Sequence, residues 1–168
     1  MLHRRAALGL FAAVVAGRHA DAATLPAPTG KVILTVRGKI SICNAGNSAQ
    51  FDLAMLDALP QGRFDGETPW TKGRNVFTGP TGAAVLDAVG ATGTRLRVNA
   101  LNDYDADIPA ADFRRYAVIL ATRHDGSIMS IRDKGPIWVM YPMDKDPALR
   151  AETIYTRSVW QVASIDVS

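Results

Sequence analysis

The run Ile131-Arg132-Asp133-Lys134-Gly135-Pro136-Ile137-Trp138-Val139-Met140-Tyr141-Pro142-Met143 constrains this chain more than any other stretch. Ile137, Val139 and Tyr141 alternate with Trp138 and Met140, and both sets are apolar or aromatic. A strand with no polar face has to be covered on both sides, so the fold must place chain above and below it. Gly135-Pro136 marks its start and Pro142 its end, because proline offers no N–H to a central ladder. The charged triplet Arg132-Asp133-Lys134 at its mouth suits a capped core strand or the rim of a binding site, and pattern alone favours the cap.

The remaining elements are placed around that strand. Val32, Leu34 and Val36 alternate with Ile33, Thr35 and Arg37 in a strand that stops at Gly38. Asn44 to Ser48 is turn chemistry, with Ser48 as the expected cap of a helix that carries Phe51, Leu53, Ala54, Met55, Leu56 and Leu59 and ends at Pro60. Arg63 to Trp70 is extended, since Pro69 keeps Thr68 out of helical geometry. After the turn Lys72-Gly73-Arg74, Pro80 starts a helix over Ala83, Ala84, Val85, Leu86 and Val89 that stops at Gly90. Thr94 to Ala100 is a strand with Leu96, Val98 and Ala100 on a dry face and Arg95, Arg97 and Asn99 on a wet one.

The stretch Asn102-Asp103-Tyr104-Asp105-Ala106-Asp107 lacks the glycine and distant glutamate of a calcium loop and reads as an acidic loop. A short helical turn over Pro109 to Tyr116, a buried strand over Val118 to Thr122 and a hairpin at His124-Asp125-Gly126-Ser127 lead back to the opening strand. Asp144 to Glu152 is a polar excursion with a helical turn over Ala148 to Glu152, and Ser158 to Val167 is a long final strand. About seven strands and three short helices, without regular β-α-β alternation, predict an α+β fold with a mixed sheet.

Residues 1–23 read as a cleavable export signal. Arg4 and Arg5 precede the small apolar run Ala6 to Gly17, and Ala20-Asp21-Ala22 places cleavage after Ala22 or Ala23. The run is shorter than the ~20 apolar residues a bilayer requires. Arg4-Arg5 followed by Ala-Ala-Leu-Gly-Leu resembles a twin-arginine signal, with the Sec route as the alternative. The expected location is periplasmic or otherwise exported, with a linker over 24–30, one domain over 31–168 and no transmembrane span in the mature chain.

Removing Arg4, Arg5, Arg18 and Asp21 lowers the formal net charge from +3 to about +1, so the basic balance does not identify a partner. No Lys/Arg run with interleaved aromatics is present, which argues against nucleic-acid binding. Cys43 is the single cysteine, and His124 is the single histidine after the signal. These counts exclude an internal disulfide and a zinc site of His/Cys spacing. Cys43 reads as a small half-buried residue at a strand end, and His124 as a solvated turn residue rather than part of a catalytic triad.

The order Phe51 to Pro60 (FDLAMLDALP), Thr68 to Pro80 (TPWTKGRNVFTGP), Val85 to Gly90 (VLDAVG), Asn102-Asp103-Tyr104 with Ile108-Pro109, Arg132 to Pro142 (RDKGPIWVMYP) and Ser158 to Ile165 (SVWQVASI) resembles the molybdopterin-binding domain of the sulfite oxidase family. Small exported bacterial members are the nearer likeness, and the match covers residues 31–167. The resemblance implies a compact α+β fold around a molybdopterin cofactor. It also implies a cysteine thiolate on molybdenum from the segment just before Trp70-Thr71-Lys72-Gly73, because soft anionic sulfur tunes the metal for oxygen-atom transfer.

Here that segment reads Asp65-Gly66-Glu67-Thr68-Pro69, and Cys43 lies before the Phe51 to Leu59 helix rather than after it. The resemblance implies cofactor contacts from Asn102, Asp103, Tyr104, Arg132, Lys134 and Arg157 and substrate contacts from Lys72 and Arg74, while this sequence offers no protein metal ligand of the usual kind. Trp138 and Trp160 are open to either reading, as pocket walls or plain core.

Two functions follow. One is a periplasmic pseudoenzyme, a ligand-binding or sensory subunit for a membrane-anchored sensor or electron-transfer protein. The alternative is an active molybdopterin-dependent oxidoreductase whose metal lacks a protein sulfur ligand or takes an oxygen ligand from Thr68 or Glu67. With no haem-attachment motif and no dinucleotide fingerprint, electrons from such an enzyme would leave to another protein.

Overall fold

The computed structural model describes residues 24–168; the expected export signal, residues 1–23, lies outside the described residues. In chain order the elements are β1 (Leu34–Gly38), β2 (Ser48–Phe51), α1 (Leu53–Asp57), β3 (Gln61–Glu67), β4 (Arg74–Pro80), α2 (Gly82–Ala88), β5 (Arg95–Ala100), β6 (Asp105–Pro109), α3 (Ala110–Arg115), β7 (Ile119–Ala121), β8 (Arg123–His124), β9 (Ser127–Ile128), β10 (Trp138–Met140), α4 (Glu152–Arg157) and β11 (Val162–Val167), with 3-10 turns at Ile131–Asp133 and Pro147–Leu149. A five-stranded sheet runs β2-β1-β11-β5-β6, mixed because β1 and β11 are parallel and the other pairs antiparallel. A four-stranded sheet runs β3-β4-β8-β9, and β10 pairs with β7 between them. No helix among the described residues is long and apolar enough to cross a membrane.

β10 is covered on both faces, as its double apolar alternation requires. Ile137, Val139 and Tyr141 join an aliphatic core with Leu34, Val36, Val98 and Ile165. Trp138 and Met140 join a smaller core with Phe64, Phe77 and Met129. β7 divides in the same way, Leu120 to the first core and Ile119 to the second, so the β7–β10 ribbon is the wall between them. Burying one large apolar side chain contributes about 1.5–3 kcal/mol, and the wall uses every residue it has. Gly135 admits the chain to this wall, because a Cβ there would stand 2.2 Å from the Met129 carbonyl oxygen.

Four local expectations are corrected. Ser48 belongs to β2, and the cap of α1 is Asp52, whose carboxylate accepts from Met55 N at 2.9 Å and also from Thr29 N at 2.9 Å and Gly30 N at 2.7 Å. The bonds from Met55 and Gly30 hold this carboxyl below its ordinary value. Pro80 ends β4 rather than opening a helix, and Thr81 caps α2 through Ala84 N at 3.2 Å.

The acidic loop is in part a strand. Asp105 to Pro109 pairs with β5, its Ile108 is buried, and Asp105 and Asp107 face outward onto Arg97 at 2.7 and 3.4 Å. Aspartates on the wet face and an alanine on the dry one hid the alternation. The final strand begins at Val162 rather than Ser158, and the helix before it runs from Glu152 to Arg157, past the turn expected over Ala148 to Glu152. The β-branched Thr153, Ile154 and Thr156 masked that helix.

Candidate functional site

Residues two apart on an α-helix point about 200° apart, and α4 uses this to separate Arg157 from Tyr155. Arg157 Nη1 donates to Asp112 Oδ2 at 3.0 Å, and the Tyr141 hydroxyl donates to the same oxygen at 2.9 Å. Burial and the Asp112 carboxylate push the Tyr141 phenol well above its ordinary value. Arg157 therefore ties α4 to α3 and to the end of β10. The shallow depression beside it also holds Arg95, Asp107 and Ile108.

Tyr155 faces a groove of about 280 Å³ together with Trp70, Asn102, Tyr104, Glu152 and Trp160. It also lines an adjoining cavity of about 220 Å³ with Glu67, Thr68, Pro69, Met143 and Arg150. The Trp70 ring lies 5.7 Å from Tyr155 at 80° and 6.2 Å from Trp160 at 71°, so it stands nearly perpendicular to both. Behind them Trp138, almost fully buried, donates from Nε1 to the Ser158 carbonyl at 3.1 Å. Lys134, in left-handed backbone geometry, lays its ammonium 4.6 Å from the Trp160 ring centroid and 5.7 Å from that of Trp138.

Of the residues singled out from the sequence, Asn102 and Tyr104 line the groove. The Tyr104 hydroxyl donates to the Thr156 carbonyl at 2.8 Å, tying the β5–β6 turn to α4, and Asn102 Oδ1 accepts from Tyr104 N at 3.2 Å. Asp103 is the exposed left-handed residue of that turn, with φ 62°. Lys134 backs the groove through Trp160, while Arg132 is exposed on the neighbouring 3-10 turn. Lys72 is exposed, and Arg74 donates from Nε to Asp65 at 2.7 Å. Asn75 holds their turn, donating to the Lys72 and Gly73 carbonyls. Trp70, Tyr155 and Glu152 were not singled out from the sequence, although the Pro69-Trp70 pair before a glycine turn was a usable signal.

His124 stands beside the hairpin turn with its side chain 34% exposed, and its ring is engaged as well, stacking on Phe77 with centroids 4.5 Å apart at 14° while Nε2 lies 2.7 Å from Asn75 Oδ1. The pairing of Phe77 with His124 across β4 and β8 causes the stack. Cys43 is half-buried in the loop after β1, whose neighbouring Ser41 and Ile42 N–H groups donate to Val89 at the end of α2. That loop is not part of either cavity wall.

These surroundings decide the fit to a molybdenum-bearing pterin. In the segment before Trp70, Thr68 is buried, its Oγ1 lies 2.7 Å from Thr71 Oγ1, and it accepts from Trp70 N at 3.2 Å. A hydroxyl already engaged twice is a poor ligand for a metal that favours soft sulfur. Among the described residues no group of three or more His, Cys, Asp or Glu side chains is placed to hold a metal ion. The segment before Trp70 thus offers an engaged hydroxyl where the family resemblance calls for a thiolate.

No family model matches the chain, and no curated protein matches it. Among solved structures it is similar to the sulfane dehydrogenase SoxCD from Paracoccus pantotrophus, with a TM-score of 0.58 and 14% sequence identity over 80% of this chain and 37% of that one. The chain thus spans little more than a third of that neighbour, and what the two share at this identity is a distant relationship of fold.

Proposed function

We propose that this chain is an exported ligand-binding domain on an oxidoreductase fold of the molybdopterin-binding type, without molybdenum chemistry of its own, serving as a sensory or partner subunit for a membrane-anchored protein. One observation carries the reading. The aromatic groove of Trp70, Tyr155 and Trp160 adjoins a wall where Thr68 presents a hydrogen-bonded hydroxyl, while the sequence resemblance calls for a thiolate. A concave site lined by rings and a few polar groups suits binding.

The alternative is an active molybdopterin-dependent oxidoreductase, with oxygen ligation from Thr68 or Glu67. The fold-level likeness to a sulfane dehydrogenase supports it, and the Thr68 hydrogen bonds oppose it. Protein purified from the periplasm of a molybdenum-replete host separates the two by metal analysis and by pterin fluorescence after oxidation. The binding reading expects neither molybdenum nor pterin in stoichiometric amount, and stoichiometric molybdenum would establish the alternative.

A further inference from the structure

We infer that the groove takes a quaternary ammonium cation of the choline type; this rests on the binding-domain reading and gives it a ligand class. Trp70 and Tyr155 meet at 80°, so their rings form two walls of a box. Trp160 adds a third and Tyr104 stands at the mouth. Ring faces carry the negative part of the aromatic quadrupole, and a cation within about 6 Å of several of them is attracted without any hydrogen bond. Lys134 already occupies such a position over Trp160, which leaves Trp70 and Tyr155 as the receiving rings.

The polar groups point to the same class. Glu152 is the one charged side chain lining the groove, and it makes no ion pair among the described residues. Its charge can neutralise a cation, and among the described residues no lysine or arginine lines the groove to receive an anion. The Tyr104 hydroxyl is engaged with Thr156, and Asn102 Oδ1 already accepts from Tyr104 N. Glu152 alone would have to accept from the three N–H donors of a primary ammonium or the five of a guanidinium, and donors left over cost free energy. A methylated ammonium has none to satisfy.

The test titrates the purified protein with choline chloride and, separately, with its uncharged isostere 3,3-dimethylbutan-1-ol, reading tryptophan fluorescence and heat. Choline is expected to saturate the signal and the isostere to leave it flat. Glu152→Gln, at an exposed position, should weaken choline by about threefold to tenfold, and Tyr155→Leu by about tenfold or more, with unchanged thermal melting. Equal binding of choline and the isostere, or no saturable choline signal, overturns the cation assignment. If unsubstituted pterin saturates the same tryptophans while choline does not, the cation assignment falls and the binding-domain reading stands. Stoichiometric molybdenum in the same preparation removes the binding-domain reading itself.

Discussion

On one side of α4, Arg157, Asp112 and Tyr141 close a network in which the two charges and the phenol satisfy one another. On the other, Tyr155 joins Trp70 and Trp160 around an open groove with a single carboxylate. Both sides adjoin a depression, and the cationic side would ordinarily attract attention first. The difference teaches that a charge already matched by an internal partner is architecture. Aromatic rings lining a groove beside a carboxylate without an ion pair are what the proposed site rests on.

The comparison can be broken most forcefully at Asp112. Asp112→Ala leaves Arg157 without its partner and Tyr141 without its acceptor, and should lower stability by about 3 kcal/mol in urea unfolding. Choline affinity of the folded fraction should stay within about twofold. A large loss of affinity with intact stability would return Arg157 to the binding surface.

Tyr141→Phe removes one hydrogen bond to that carboxylate and should cost about 1 kcal/mol near neutral pH. It also carries a pH signature. The folded phenol titrates above its ordinary value, so its contribution is fully present below about pH 10. Above that, the unfolded chain loses the proton while the folded chain keeps it, and stability falls as pH rises. Urea midpoints between pH 8 and 11 should show this fall in the wild type and a weaker one in Tyr141→Phe.

Tyr104→Phe loses only the exposed bond to Thr156 and should cost about 0.5–1 kcal/mol, with looser hydrogen exchange in the β5–β6 turn. Tyr155→Leu should have the smallest effect on stability, within about 0.5 kcal/mol, yet the largest on ligand capture. A variant that unfolds would show Tyr155 to be core, and the contrast between the two sides of α4 would disappear.

β10 was legible because both of its alternating sets are apolar, and the structure sends Val139 and Tyr141 to one core and Trp138 and Met140 to the other. β6 was hidden because Asp105 and Asp107 advertise a loop while Arg97 on the neighbouring strand pairs with them. A single-chain pattern does not display cross-strand partners. The site was half legible. Asn102 and Tyr104, expected as cofactor contacts, do line the groove, but Trp70 and Tyr155 converge only in space, and the Arg157 partner Asp112 lies on another helix. Charge reads out of a sequence directly, whereas whether that charge is already matched does not.

The measurement that bears most directly on the account is the molybdenum-to-protein ratio of freshly purified protein from a host that makes the cofactor, taken beside the choline titration of the same sample. The account predicts a ratio near zero together with saturable choline binding. A ratio near one, with the tryptophans indifferent to choline, would contradict it.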